Sequence, residues 1–188
     1  MNTRRTSRPA VLITGIVLFI VLLLIDRASK AWAVSALAGA GEQQLIGDLF
    51  VLRYLENQGA AFGILQGRQS AFLLIAVIVL IVIVYLYIRL PYRRRFLSLR
   101  VLMVFIAAGA IGNLIDRIQN GYVVDFLYIK VIDFPIFNVA DIYVTCCCIL
   151  LIILLIFVYK DADFQEMAQA IRPGKHTPDS DGNGGEDA

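Results

Sequence analysis

Two aspartates in apolar surroundings are the strongest candidates for chemistry in this chain. Asp125 lies in the stretch Val-Val-Asp-Phe, and Asp141 ends the stretch Phe-Asn-Val-Ala-Asp. Two carboxylates close together in a partly dry site cannot both ionise cheaply, so one keeps its proton while the other can act as a base. Such a pair can activate water against a peptide carbonyl and then protonate the leaving amine. The pattern fits equally well with acids that cap helix ends or pair with Arg117 and Lys30.

Charged residues also occur in or beside the apolar stretches, where they are costly and therefore functional candidates by default. Asp26 and Lys30 are spaced i to i+4, which places them on one helix face within ion-pairing reach. The simpler interpretation of this pair is a structural bridge at a helix end. Arg117 is four residues after Asn113, so these two side chains share one helix face, and Asp116 is one position from that face. An arginine there can also simply extend toward the lipid head groups.

Two further asparagines lie at the edges of the same stretches. Asn57 and Asn138 can each donate and accept hydrogen bonds at once, although asparagine is also common in turns. Gly59 follows in a stretch of glycine and alanine that permits close backbone approach to a ligand or another helix.

Other catalytic arrangements find little support in the sequence. The only histidine, His176, lies in a polar tail, which argues against a histidine triad or a multi-histidine metal site. The chain has no nucleotide-binding glycine loop. The consecutive cysteines at 146–148 point in different directions on a helix, so we interpret them as small apolar fillers. We predict no metal, no cofactor and no nucleic-acid partner.

The elements that must position these residues are membrane helices. Hydrophobic residues make up 59% of the 188 residues and charged residues only 17%, against about 45–50% apolar in soluble domains. Four apolar blocks approach the ~17–25 residues of a spanning helix, namely residues 10–25, 71–88, 96–115 and 142–159. We predict an all-α integral membrane protein with four transmembrane helices over residues 1–160, and a polar, disordered cytoplasmic tail over residues 161–188. A cleaved signal peptide is the competing interpretation of the first block, but charged residues interrupt the path to its cleavage site.

The distribution of basic residues predicts the orientation. Arginines precede the first block and crowd the stretch between the second and third, at positions 4, 5, 8, 89, 93, 94, 95 and 100. Because positive loops stay inside, both termini are predicted to be cytoplasmic. Residues 31–70 and 116–141 then face the other side, which gathers all the candidate residues at one membrane face. Alternation over residues 49–55 predicts a short β-hairpin or small sheet there.

Five short motifs, in order, make the chain resemble lipoprotein signal peptidase, the signal peptidase II family of bacterial membrane enzymes. They are Asp-Arg-Ala-Ser-Lys at 26–30, Glu-Asn-Gln-Gly-Ala-Ala-Phe-Gly at 56–63, Gly-Asn-Leu-Ile-Asp-Arg at 112–117, Val-Val-Asp-Phe at 123–126 and Phe-Asn-Val-Ala-Asp at 137–141. The resemblance implies that Asp125 and Asp141 are the catalytic pair. It also implies residues that order the site and the substrate, namely Asn57, Gly59, Asn113, Arg117, Asn138 and Ala140. Asp26, Lys30 and Asp116 would support the site less directly.

The same resemblance implies the substrate and the location. The substrate would be a prolipoprotein whose cysteine already carries diacylglycerol, cut on the N-terminal side of that cysteine at the bacterial inner membrane. Apart from the resemblance, we expect a monomer, although the sequence leaves the oligomeric state open. The resemblance also implies inhibition by the cyclic peptide globomycin. A small proton-coupled transporter component is the main alternative, because intramembrane carboxylates also serve proton relays. A transport path should spread ionisable groups across the membrane, whereas these cluster at one face. A purely structural lipid-binding protein is a third possibility.

Overall fold

A computed structural model describes residues 6–59 and 69–172 of the chain. Its helices are α1 (Arg8–Leu37), α2 (Gln69–Arg89), α3 (Leu97–Asn120), α4 (Val139–Ile153) and α5 (Asp161–Ile171). A 3-10 turn (Arg94–Phe96) leads into α3, and a π-helical turn (Leu154–Val158) extends α4. Among the described residues, three helical segments are long and apolar enough to cross a membrane: Arg8–Leu37, Arg94–Asn120 and Val139–Val158. The fourth apolar helix, Leu73–Arg89 within α2, is shorter.

Helix α3 is the centre of the bundle and contacts α1, α2 and α4. Half of its most apolar window is buried in the protein, against 11% for α1 and 6% for α4. Two glycines allow its neighbours to approach closely. A Cβ at Gly109 would collide with the Ala140 carbonyl of α4, and a Cβ at Gly112 would collide with the Asp26 carboxylate of α1. The outer helices therefore present most of their apolar side chains to lipid.

A small antiparallel sheet, in the order β1-β2-β3, covers one end of the bundle. Strands β1 (Gln43–Ile46) and β2 (Phe50–Asn57) form the hairpin that the alternating sequence predicts. Strand β3 (Val123–Ile129) pairs with β2 and was not predicted, so the description of the fold as all-α is incomplete. Its first four residues are all buried, which removes the alternation that would reveal a half-exposed strand.

The prediction of a disordered tail from residue 161 is wrong for α5. Ion pairs of 3.0 Å join Arg95 to Asp163 and Arg93 to Glu166, and Met167 is buried in a cluster with Phe96. These ion pairs and the burial of Met167 supply the stabilisation that an isolated polar segment lacks. Residues 173–188, which include His176, lie outside the described residues, as do residues 60–63 of the second motif.

Candidate active site

Asp125 lies on β3, where the β2–β3 register sets it opposite Leu55 and sets Asn57 opposite Val123. Its side chain is 1% exposed and receives two amide donors. Oδ2 accepts a hydrogen bond from Nδ2 of Asn57 at 2.7 Å, and Oδ1 accepts one from Nδ2 of Asn138 at 2.6 Å. The sheet and the start of α4 therefore hold this carboxyl from both sides.

Asp141 is the third residue of α4, and its carboxylate helps to cap that helix. Its Oδ2 accepts from the backbone N–H of Asn138 at 3.0 Å, while Oδ1 of Asn138 accepts from the backbone N–H of Asp141 at 3.1 Å. This reciprocal arrangement is a capping box. Oδ1 of Asp141 accepts from Nδ2 of Asn113 at 2.8 Å. A negative charge here is also favoured by the helix dipole.

The orientation of all three asparagine amides follows from partners that can only donate. Oδ1 of Asn113 faces the ammonium of Lys30 at 2.8 Å, Oδ1 of Asn57 faces the N–H of Gly59 at 2.9 Å, and Oδ1 of Asn138 faces a backbone N–H. Because an ammonium or an N–H cannot accept, each amide oxygen must point to it. Each NH₂ group must then point to a carboxylate. Asn138 also donates to Oδ1 of Asn113 at 3.1 Å, which links Asp125 to Asp141 through two amides.

Lys30 lies beneath this network in a nearly dry cluster of charges. Its ammonium is 3.1 Å from Oδ2 of Asp26 and 3.0 Å from Oδ2 of Asp116, and both carboxylates are fully buried. Asp116 also pairs with Arg27 and accepts from the backbone N–H of Val124 at 3.3 Å. The cluster therefore ties α1, α3 and β3 together at the point where the asparagines begin.

Six of the predicted residues line one cavity of about 420 Å³ at this end of the bundle: Asn57, Gly59, Asn113, Arg117, Asp125 and Asp141. Arg117 reaches across it, with a guanidinium nitrogen 3.4 Å from the carbonyl oxygen of Gly59. Ala140 is fully buried and lies behind the cavity, against α3, so the structure does not place it where a substrate would be touched.

One wall of the cavity is apolar and was missed by the sequence reasoning. It is formed by Phe134, Pro135, Ile136, Phe137 and Ile142, together with Thr145 and Cys146. Phe137 begins the fifth motif, but residues 134–136 give no helical or strand pattern, so no signal marked an apolar wall in advance. Of the three cysteines, Cys147 is buried in a cluster with Leu102 and Ile106, as a small apolar filler would be.

The pKa of Asp125 is raised from 3.8 to about 7. Removal from water is the main cause, and the nearby charge of Asp141 adds to it, whereas the amides of Asn57 and Asn138 act in the opposite direction. One carboxyl of the pair therefore holds a proton near neutral pH. A cavity with one protonated and one ionised carboxyl can activate water and assist a leaving group.

Fold and site together define a helical membrane protein with a paired-carboxylate cavity at one end of its bundle. A sequence model of the family described as signal peptidase (SPase) II matches residues 18–157. The chain is 40% identical to a lipoprotein signal peptidase of Clostridium tetani over 155 residues, which cover 80% of this chain and 96% of the relative. It is 42% identical to a lipoprotein signal peptidase of Clostridium novyi over 125 residues, covering 65% and 83%. The chain belongs to the signal peptidase II family.

Solved structures agree with this membership. A bacterial membrane enzyme determined at 1.9 Å resolution by the in meso method superposes with a TM-score of 0.71 at 32% identity, covering 85% of this chain and 99% of that one. A second, at 2.3 Å, gives 0.69 at 32% identity, with coverages of 82% and 92%. With its apolar helices, the chain is a peptidase of the bacterial inner membrane. The transporter alternative receives no support.

Proposed function

We propose that this protein is an aspartic endopeptidase that removes the signal peptide from diacylglyceryl-modified prolipoproteins, on the N-terminal side of the lipidated cysteine. The observation that carries the proposal is the shared cavity. Asp125 and Asp141 both line it, and the amides of Asn138 and Asn113 link them. Family membership supports the choice of substrate.

The environments of the two carboxyls suggest different roles. Asp125 carries the proton, because its pKa is raised to about 7. Asp141 carries the charge, which the Asn113 amide and the backbone N–H of Asn138 stabilise. Asp141 takes a proton from water as the water oxygen attacks the scissile carbonyl carbon. Asp125 donates a hydrogen bond to the carbonyl oxygen and then helps to protonate the leaving amine.

The remaining groups of the cavity fit a lipidated peptide. The guanidinium of Arg117 and the backbone of Gly59 provide donors and acceptors suited to an extended peptide backbone. The apolar wall from Phe134 to Phe137, continued by Ile142, suits the side chains and acyl groups next to the cleaved bond. Ala140 acts indirectly, by letting the first turn of α4 pack against Gly109.

We further propose four membrane spans, with α2 as the second, and both termini in the cytoplasm. The arginines of the N-terminus and of the α2–α3 connection support this orientation. It places the sheet, the cavity and both aspartates at the extracytoplasmic face. A single chain supplies every group described above, which supports a monomeric enzyme.

The proposal is tested by cleavage of a diacylglyceryl-modified precursor with the purified protein. Asp125→Asn and Asp141→Asn should fold and yield no product, because neither amide can complete the proton transfers. Asp133→Asn is the matched control, since it makes the same change at an exposed aspartate outside the cavity, and it should cleave normally. Globomycin should inhibit cleavage, and a metal chelator should leave it intact. Retained cleavage in either cavity variant would refute the assignment.

A further inference from the structure

A second cavity, of about 440 Å³, lies at the opposite end of the bundle between the N-terminal parts of α1 and α3, next to Tyr87 of α2. Its lining includes Thr6, Ser7, Thr14, Arg94, Arg100 and Val101. Arg100 is thirteen residues before Asn113 on α3, which corresponds to about 20 Å along the helix. This cavity is therefore separate from the proposed active site and has no part in the chemistry above.

Arg100 is the unusual feature of this cavity. Its side chain is 2% exposed, and its terminal nitrogens donate to the backbone carbonyls of Tyr87 and Leu90. The guanidinium lies over the rings of Tyr87 and Tyr92, at 5.0 and 4.1 Å from their centroids. Its Nε is buried without an acceptor, and no acidic side chain within residues 6–59 or 69–172 forms an ion pair with Arg100. A buried charge without a counter-charge is costly, so the site favours an anion.

Other groups around the cavity also favour negative charge. The hydroxyl of Thr6 is buried and has no hydrogen-bond partner among the described residues. The N-terminus of α1, capped at Ser7 without a side-chain hydrogen bond, borders the same space, and unpaired N–H groups at a helix start attract anions. Arg94 is exposed at the rim and adds a second positive charge. Glu166 lines the adjoining cavity together with Thr6, but its carboxylate is paired with Arg93 at 3.0 Å.

The direction in which the cavity opens indicates where the anion comes from. Thr14 and Val101, on facing helices, are both exposed, and Ile13 and Val17 beside them are lipid-facing apolar side chains. The mouth therefore opens sideways into the bilayer. Leu18 and Val104 continue the lining as an apolar surface, which suits the glycerol and upper acyl chain of a lipid.

We propose that this cavity binds the phosphate of an anionic phospholipid, in the leaflet opposite the active site, with Arg100 as the central anion ligand. Nε of Arg100 and the Thr6 hydroxyl are both covered in this structure, so binding includes a turn of these side chains that lets the phosphate accept from them, and Arg94 covers it from the rim. Charge-assisted contacts of this kind are the stronger class of hydrogen bond.

The test uses the full-length protein, stripped of lipid in detergent. Native mass spectrometry would measure binding of dioleoylphosphatidylglycerol, with dioleoylglycerol as the ligand that lacks the phosphate and inorganic phosphate as the ligand that lacks the chains. Val101→Phe should block the mouth without touching Arg100. Val17→Phe is the matched control, because it makes the same change at a lipid-facing position outside the lining.

We expect one phosphatidylglycerol per chain, bound about tenfold more weakly by Val101→Phe and unchanged by Val17→Phe. Arg100→Gln should weaken binding at least as much. Binding of dioleoylglycerol should be equal for the wild type and Val101→Phe, because any binding of this lipid takes place in the active-site cavity. Equal phosphatidylglycerol binding by the wild type and Val101→Phe would overturn the proposal. Saturation by inorganic phosphate alone, with no preference for the lipid, would equally overturn it.

Discussion

The raised pKa of Asp125 predicts that this carboxyl destabilises the folded protein as the pH rises. The pKa is 3.8 for an unperturbed aspartate and about 7 in the folded chain. Between these values the unfolded chain loses the proton while the folded chain keeps it. Stability therefore falls with increasing pH across this window, because the folded state binds more protons there than the unfolded state. The perturbation that isolates the effect is Asp125→Asn, which cannot ionise.

The size of the effect follows from the shift. A change of about three pKa units corresponds to about 4 kcal/mol of lost folding free energy once the pH exceeds 7. The asparagine also lowers stability, because its NH₂ group must face the NH₂ group of either Asn57 or Asn138. The hydrogen bond from that neighbouring amide is then lost, which costs about 1–3 kcal/mol. Asp125→Asn should therefore be less stable than the wild type at pH 4. It should be more stable by roughly 1–3 kcal/mol at pH 8.

The assay is thermal unfolding in detergent, followed by circular dichroism at pH 4 to pH 8 for the wild type, Asp125→Asn and Asp133→Asn. Of the two variants, only Asp125→Asn should differ from the wild type in stability by an amount that changes sign with pH. The exposed Asp133 reports any general effect of removing a carboxylate from this face. A stability difference that stays constant from pH 4 to pH 8 would show that Asp125 ionises equally in both states, and the assignment of the proton to Asp125 would fail.

The rate of precursor cleavage should fall as the pH rises through about 7, because Asp125 then loses the proton that it donates; a profile that rises through this region would contradict the assigned role. Gly112→Val should lower stability by about 1–3 kcal/mol in chemical unfolding, because its side chain would collide with Asp26. Ala110→Val, at a half-buried position on the same helix, should cost less. Lys30→Met should cost about 3–5 kcal/mol, because it leaves the buried Asp26 carboxylate without its cation and leaves Asp116 with Arg27 alone, and adding Asp26→Leu should recover part of that loss.

The parts of the fold that the sequence predicts are those with local periodicity. Each of the four apolar blocks overlaps one of the helices α1 to α4, and alternation around residue 50 predicts the β1–β2 hairpin. Strand β3 could not be predicted, because its leading residues are buried on both faces and its partner β2 is about 70 residues earlier in the chain. Helix α5 could not be predicted either, because its stability depends on Arg93, Arg95 and a hydrophobic cluster that are remote in sequence.

The sequence predicts that polar residues from separate stretches gather at one site, and six of them line one cavity, but it does not predict which carboxyl keeps a proton. Charge and amide groups beside apolar spans single out Asp125, Asp141 and the asparagines without any coordinates. Which carboxyl keeps the proton depends on burial and on amide orientation, and both are set by long-range contacts. The hydrogen bond from Lys30 to Asn113, for example, joins α1 to α3, and no local sequence pattern specifies how these two helices pack. The apolar wall at 134–137 has the same origin, since Phe137 is held by backbone hydrogen bonds to Phe126 and Leu127 of β3, which no local pattern specifies.

The sheet explains how a helical bundle can hold two acids in a fixed relation. Asp141 is fixed within α4 by a capping box, but Asp125 lies beyond the end of α3, where a free loop would leave it mobile. Pairing of β3 with β2 makes that segment rigid and brings Asn57 to the same carboxyl. Because water activation needs both carboxyls within hydrogen-bond reach, small displacements are costly. Substitutions that weaken the β2–β3 pairing should therefore reduce turnover even where they leave the helices, the aspartates and the amides unchanged.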